Sequence, residues 1–196
     1  MSELPPSPSG FPDEQRDNPE IGTPLIIEGM SADAVLAMWH RATDETGASR
    51  PLPGEPDSEE ILAQIELLPG RNIEHAQGVF SIFVNSTRNV DRRHIAWYIS
   101  ALTEVDRLYG LPLWEQLMCD PDHEVRIAAY NPLESTAIAS NTPDQQDKPD
   151  LTDLGITWRD AYGLMRAFVR AEIYEGATHT PGMPPYPHRE FKYLPE

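Results

Sequence analysis

The stretch LWEQLMCDPDHEVRIAAYNPL, residues Leu113–Leu133, decides the fold prediction because it contains two helical patterns separated by a break. The break is Asp120-Pro121, since proline disfavours the helical backbone at the residue before it. Asp122 then has the side chain of a helix N-cap, and Arg126 can reach back to the acidic turn at Asp120. The apolar positions at helical spacing are Leu113, Leu117, Val125, Ala128 and Ala129. The stretch therefore predicts a corner between two helices rather than a catalytic site.

The spacing of Asp120-Pro121, Val125-Arg126 and Ala129 follows the pattern D-P-x-x-x-V-R-x-x-A. In this respect the stretch resembles one unit of a HEAT-like or variant leucine-rich helical repeat. The resemblance implies helical pairs stacked side by side, as in scaffolds that bind other proteins. It covers residues 113–133, one unit, whereas a repeat array needs at least three stacked units.

Helical periodicity extends through most of the chain, because apolar residues recur at intervals of three and four. The pattern predicts an all-α fold of six or seven helices, arranged as stacked helical hairpins. They form a single domain over residues 29–175, with loops at 48–56 and 141–155. Side chains suited to cap helix N-termini are Ser31, Asp57, Asp122 and Thr157.

The longest helix is predicted over Asn89–Tyr109, with Gly110 closing it and Pro112 opening the next helix. The stripe expected to face the core is Ile95, Tyr98, Leu102, Val105 and Leu108. Helix ends are also expected at Pro69-Gly70 and Asn131-Pro132, since proline and glycine interrupt helices.

Proline is concentrated at both ends of the sequence: six of the 20 prolines lie in residues 1–28 and five in 181–195. Such segments are poor in the apolar residues that offset the entropy of ordering. Residues 1–28 and 176–196 are therefore predicted to be extended tails, the first of them acidic. The apolar and aromatic side chains expected to bind a partner protein are Leu25, Ile26, Ile27, Tyr186, Phe191 and Tyr193.

The net charge is −17, and residues 1–70 carry −11 of it. A surface of this sign repels nucleic-acid phosphates and anionic lipid, so direct nucleic-acid binding is not expected. No stretch approaches the roughly 18 apolar residues of a membrane span, and residues 1–28 lack the pattern of a signal peptide. Cys119 is the only cysteine, which excludes an intrachain disulfide or a zinc cluster of cysteines. These features together predict a cytoplasmic protein.

No established catalytic or phosphate-binding motif occurs, and neither a cofactor nor a metal is expected. Histidines are the first candidates for such chemistry, because they carry most acid–base and metal chemistry in proteins. His123 lies among acidic residues, so the candidates for a metal site are Asp120, Asp122, His123 and Glu124. His40 is the other candidate for acid–base or metal chemistry. Cys119 is expected to be a buried, inert thiol.

Three functions remain open on the sequence. The first is a non-catalytic, acidic interaction module, an accessory subunit held in a larger protein assembly by its extended tails. The second is a small helical enzyme with a metal or acid–base site near His123 or His40. The third is an acidic inhibitor that mimics nucleic acid. Since no catalytic signature is present, the sequence favours the first over an enzyme.

Overall fold

The computed structural model describes residues 25–50, 53–139 and 151–174. Within these ranges the chain forms eight α-helices and no strand, and Thr43 and Ser49 make one isolated antiparallel bridge. The all-α prediction is confirmed. The helices are α1 Ala32–Ala42, α2 Ser58–Arg71, α3 Ile73–Val84, α4 Asn89–Ala96, α5 Ile99–Val105, α6 Arg107–Met118, α7 His123–Ala139 and α8 Trp158–Tyr174. Short 3₁₀ helices lie at Ile26–Gly29 and Thr152–Leu154.

The helix starts lie where the N-cap side chains predicted them. The Ser31 hydroxyl accepts a hydrogen bond from the Ala34 amide, 3.2 Å away, and Asp57 accepts one from Glu60 at 2.8 Å. Asp122 accepts one from the Glu124 amide at 2.9 Å. Each bond satisfies one of the backbone donors that a helix leaves unpaired at its N-terminus.

The predicted long helix over 89–109 is wrong, because the chain turns twice within it to give α4, α5 and α6. Asp106 causes the second turn: it accepts a hydrogen bond from the Tyr109 amide and so caps α6 instead of continuing α5. Gly110 does not close a helix but lies inside α6. It packs so tightly on α5 that a Cβ there would lie 2.6 Å from Thr103 Oγ1 and 2.7 Å from Thr103 Cα.

The break moves part of the predicted core stripe to the surface. Ile95 and Leu102 are fully buried, but Val105 is 50% exposed and Leu108 is 85% exposed. The turn at Asp106 lies between these two exposed residues, so neither continues the helical face that carries Ile95.

Three prolines expected at helix boundaries lie inside helices instead: Pro69 in α2, Pro112 in α6 and Pro132 in α7. A proline within a helix costs about 3 kcal/mol. Beyond Pro112, however, α6 buries Trp114 and Leu117 completely. Fully burying side chains of this size contributes about 1.5–3 kcal/mol each, which offsets the cost.

The core is built around α3, which packs against α1, α2, α4, α5 and α6. The predicted corner is present: α6 and α7 pack together, and Trp114 Nε1 donates a hydrogen bond to the Ala129 carbonyl at 2.8 Å. Helix α8 covers α6 and α7, and Phe168 stacks on Tyr130 with ring centroids 4.7 Å apart. In the described ranges, no helix is long and apolar enough to cross a membrane.

The packed body includes residues before 29. Ile27 is fully buried, and its amide donates to Gln64 Oε1 at 3.3 Å while its carbonyl accepts from His75 Nε2 at 2.9 Å. Leu25 packs partly against the core, whereas Ile26 is 52% exposed. Of these three partner-binding candidates, only Ile26 presents a mostly exposed side chain. The other candidates, Tyr186, Phe191 and Tyr193, lie outside the described residues.

Candidate functional site

A buried carboxylate, Asp91 on α4, is the centre of the most connected polar cluster. Asp91 is fully buried, and its Oδ1 accepts a hydrogen bond from Trp39 Nε1 at 2.8 Å. Its Oδ2 lies 2.6 Å from His40 Nε2 and 2.6 Å from Ser86 Oγ. Since a carboxylate only accepts, Ser86 and His40 are the donors. The cluster ties α1 to α4 through two consecutive α1 side chains.

The loops around this cluster are fixed by further contacts. Arg88 Nε lies 3.7 Å from Asp91 Oδ1, and Arg88 Nη2 donates to the Asp44 carbonyl at 2.6 Å. His94 donates from Nδ1 to the Val90 carbonyl at 2.7 Å, and its ring lies 5.0 Å from that of Trp39. Burial lowers the pKa of His94, because desolvation disfavours the charged imidazolium.

Among the side chains that hydrogen-bond to Asp91, only His40 has a second basic atom that this bond does not use. In the neutral imidazole, Nε2–H faces Asp91 and Nδ1 carries the lone pair; the side chain of His40 is 35% exposed. This is the arrangement of an oriented general base. Ser86 donates to the carboxylate and not to the imidazole, so the Ser–His contact that would activate a nucleophile is not formed.

The corner at Asp120 forms a second cluster, held by an arginine from α4. Arg92 binds Asp120 with both ends of its guanidinium, Nε at 2.7 Å from Oδ2 and Nη2 at 3.1 Å from Oδ1. Its Nη1 also donates to the Ser86 carbonyl at 2.7 Å. The hydrogen bond to Asp120 raises the pKa of Arg92. Arg92 therefore links the α6–α7 corner to the loop beside Asp91.

Arg126 does reach back to the corner, as the sequence predicted. It is almost fully buried, donates from Nη1 to the Asp120 carbonyl, and donates from Nε to Glu172 at 2.6 Å. Glu172, on α8, also lies 3.1 Å from His123 Nδ1. Arg126 thus links α8 to the α6–α7 corner through hydrogen bonds.

The four metal candidates at this corner are not brought together. Asp120 binds Arg92, His123 faces Glu172, and Glu124 is exposed. Asp122 accepts from Asn89 and from two amides of α7; although burial acts to raise its pKa, these bonds and nearby Arg92 lower it overall. In the part of the chain that the structure describes, no group of three or more His, Cys, Asp or Glu could hold a metal ion.

Two open grooves accompany these clusters. One, of about 360 Å³, lies between the Ser86 loop and the corner and is lined by Val84, Asn85, Ser86, Arg92, Gln116, Cys119, Asp120 and Pro121. Cys119 is exposed there, which corrects the expected buried thiol: Asp120 points inward instead, toward Arg92. The Cys119 sulfur lies 3.9 Å from the Ala167 carbonyl.

The second groove, of about 320 Å³, lies between α6 and α8. Its floor contains an ion pair in which Arg107 donates to both carboxylate oxygens of Asp160, at 2.9 and 2.7 Å. Asp160 also accepts from the amide and hydroxyl of Thr157, at 2.7 and 2.6 Å. Chiefly through Arg107, and with Thr157, these bonds lower the pKa of Asp160 to about 2.

Asp91 and Arg92 were not predicted from the sequence, whereas His40 and the corner were. One local signal was available: a buried tryptophan needs an acceptor for its indole N–H, and Trp39 was expected in the core. Which acceptor it uses depends on the tertiary fold.

The chain matches no protein-family model, no curated protein and no solved structure.

Proposed function

We propose that this protein is a non-catalytic interaction subunit, whose helical body is an anchor and whose proline-rich segments bind a partner protein. The observation that carries this proposal is the pair of exposed apolar side chains Val105 and Leu108, 50% and 85% exposed, at the turn between α5 and α6. Large apolar side chains that face solvent three residues apart, on the two sides of one turn, favour contact with another protein.

The internal use of the polar clusters supports the same proposal. The Asp91 carboxylate binds donors from α1 and from the loop after α3, and Asp120 binds Arg92. Both described grooves are open to solvent, whereas small-molecule sites bury most of their ligand. A structural role therefore accounts for the contacts of Asp91 and Asp120 without a substrate.

The experiment is capture of partners by the full chain, followed by reconstitution with the purified partner. Binding should weaken when residues 1–24 or 180–196 are deleted, while the thermal melt of the body stays nearly unchanged. The first deletion stops at 24 because Ile27 belongs to the core. A matched body variant is Leu108→Ser, which removes the exposed side chain at the α5–α6 turn.

The outcomes separate the alternatives. A partner that stays bound at high salt, but is lost on deletion of either tail, supports an interaction subunit. A basic partner that dissociates at high salt favours the nucleic-acid mimic, because exposed charges are screened. Stoichiometric metal in protein purified without added metal favours the enzyme. If neither deletion nor Leu108→Ser weakens any complex, the proposal is wrong.

A further inference from the structure

Helix α8 carries a basic stripe on a strongly acidic protein. Its members, Arg159, Arg166 and Arg170, are exposed and are separated by seven and four residues. At 3.6 residues per turn, these positions share one helical face. No described carboxylate lies within ion-pairing distance of the three guanidinium groups. Arg166 does lie over the ring of Tyr162, with its Cζ 5.7 Å from the ring centroid.

The stripe is basic because the acidic residues of α8 are used inside the protein. Asp160 binds Arg107, and Glu172 binds Arg126. The opposite face of α8 packs on α6 and α7 through Ala161, Leu164, Met165, Ala167, Phe168 and Ala171, which are all buried. Among the residues that the structure describes, no carboxylate therefore pairs with the three arginines, and they face solvent.

Helix α2 presents an acidic face with the same spacing. Glu59, Ala63 and Glu66 are exposed and follow the intervals of Arg159, Gly163 and Arg166. In each helix the outer two charges are about 10.5 Å apart along the axis. Both faces have a small residue at the middle position.

The small residues matter because they let two helices approach closely enough for their flanking charges to meet. A Cβ placed on Gly163 would meet no atom within 4 Å, so this part of α8 is open to an incoming helix. Each stripe also has one exposed apolar neighbour, Leu67 on α2 at 43% and Val169 on α8 at 39%. An apolar neighbour on each face can add burial to the attraction between charges.

The two faces belong to different parts of the body. Helix α2 packs against α1, α3 and α5, whereas α8 packs against α6 and α7. From this arrangement and the matched charges, we propose that the α8 stripe binds the α2 face of a second copy of the chain. A phosphate backbone is a poorer match for the stripe, because the α2 face adds the same charge spacing, a small middle residue and the exposed Leu67 to the opposite charge.

The association is weak and sensitive to salt, since exposed ion pairs contribute little individually and are screened. A two-fold dimer would form the contact twice, whereas a head-to-tail arrangement would form closed rings or open chains. Affinity alone would not show which surfaces bind. Exchanging the charges of the two helices between variants does show it.

The test is sedimentation velocity of the full chain over a range of concentrations, at low and high salt. Wild type should associate at low salt and dissociate at high salt. Arg159→Glu with Arg166→Glu should remain monomeric, as should Glu59→Arg with Glu66→Arg. An equimolar mixture of these two double variants should associate again, because each supplies the charge that the other lost.

Two controls separate this contact from general repulsion and from misfolding. Arg41→Glu with Arg50→Glu changes the net charge by the same amount on exposed residues away from α8, and it should leave association intact. Gly163→Leu keeps every charge but blocks close approach, and it should reduce association without lowering the thermal melt. A monomeric wild type at every concentration, equal losses in the Arg41/Arg50 control, or a mixture that fails to associate would each overturn the proposal.

Discussion

The replacement Asp91→Ala is expected to lower the free energy of unfolding by about 3–5 kcal/mol. The carboxylate accepts hydrogen bonds from Trp39, His40 and Ser86, and bonds to a charged acceptor contribute about 1.5–3 kcal/mol each. His40 and Ser86 are partly exposed and can bond to water after the change. Trp39 is fully buried, so its indole N–H would remain unpaired at a cost of about 1–3 kcal/mol.

The assay is equilibrium unfolding in urea, followed by tryptophan fluorescence, with the slope against urea compared between variants. Domains of this kind have about 5–15 kcal/mol of stability in total, so the expected loss is a large share.

The matched control is Asp33→Ala, an exposed aspartate in the first turn of α1, for which a loss of about 0.3–1 kcal/mol is expected. Trp39→Phe removes the same hydrogen bond from the other side, so the double variant should lose less than the sum of the single losses. A loss below about 1 kcal/mol for Asp91→Ala, or strict additivity with Trp39→Phe, would refute the reasoning.

Three further predictions test the ends and turns of the helices. The pKa of Asp160 lies at about 2, below its ordinary 3.8, so its stabilising contribution is complete above about pH 4 and is lost as the pH falls toward 2. Acid-unfolding curves of wild type and Asp160→Asn should therefore differ most above this window and converge near its lower end. Gly110→Ala should destabilise by about 1–3 kcal/mol through overpacking, whereas Gly163→Ala, with open space around it, should stabilise by up to about 1 kcal/mol in chemical denaturation. Leu108→Ala should change stability by less than about 0.5 kcal/mol, while Leu102→Ala should cost about 2–5 kcal/mol; equal losses would favour the continuous helix over the broken one.

Helix starts were predictable because a cap is a local device. Ser31, Asp57 and Asp122 each bond to an amide two or three residues further along the chain, which a sequence displays directly. The break before α6 was less visible, although Asp106 is also a cap. Part of what fixes it is distant: Asp106 also accepts from Gln77 Nε2 at 2.7 Å, and the close approach of Gly110 to α5 exists only in the folded protein.

The candidate site was predictable only in part, for the same reason. His40 was identified as a residue type, but its partner Asp91 lies 51 positions away in sequence. Arg92 and Asp120 are 28 apart. Periodicity assigns such residues to helices without saying which helices face each other. The helix boundaries expected at prolines were wrong for a different reason. The energetic cost of a proline within a helix is local and predictable, but the burial that offsets it comes from residues such as Trp114 that pack across helices.

The location of the charges bears on function more directly than their number does. A net charge of −17 alone suggests a uniformly acidic surface. In the folded protein, however, Asp91 is buried and Asp120 is nearly so, both in contact with arginines, while Arg159, Arg166 and Arg170 remain exposed. A surface that presents both signs in separate stripes can bind one orientation of a partner and repel others. We therefore expect selective association rather than nucleic-acid mimicry, because a mimic needs a continuous acidic surface and the arginines of α8 interrupt the acidic surface of the described residues.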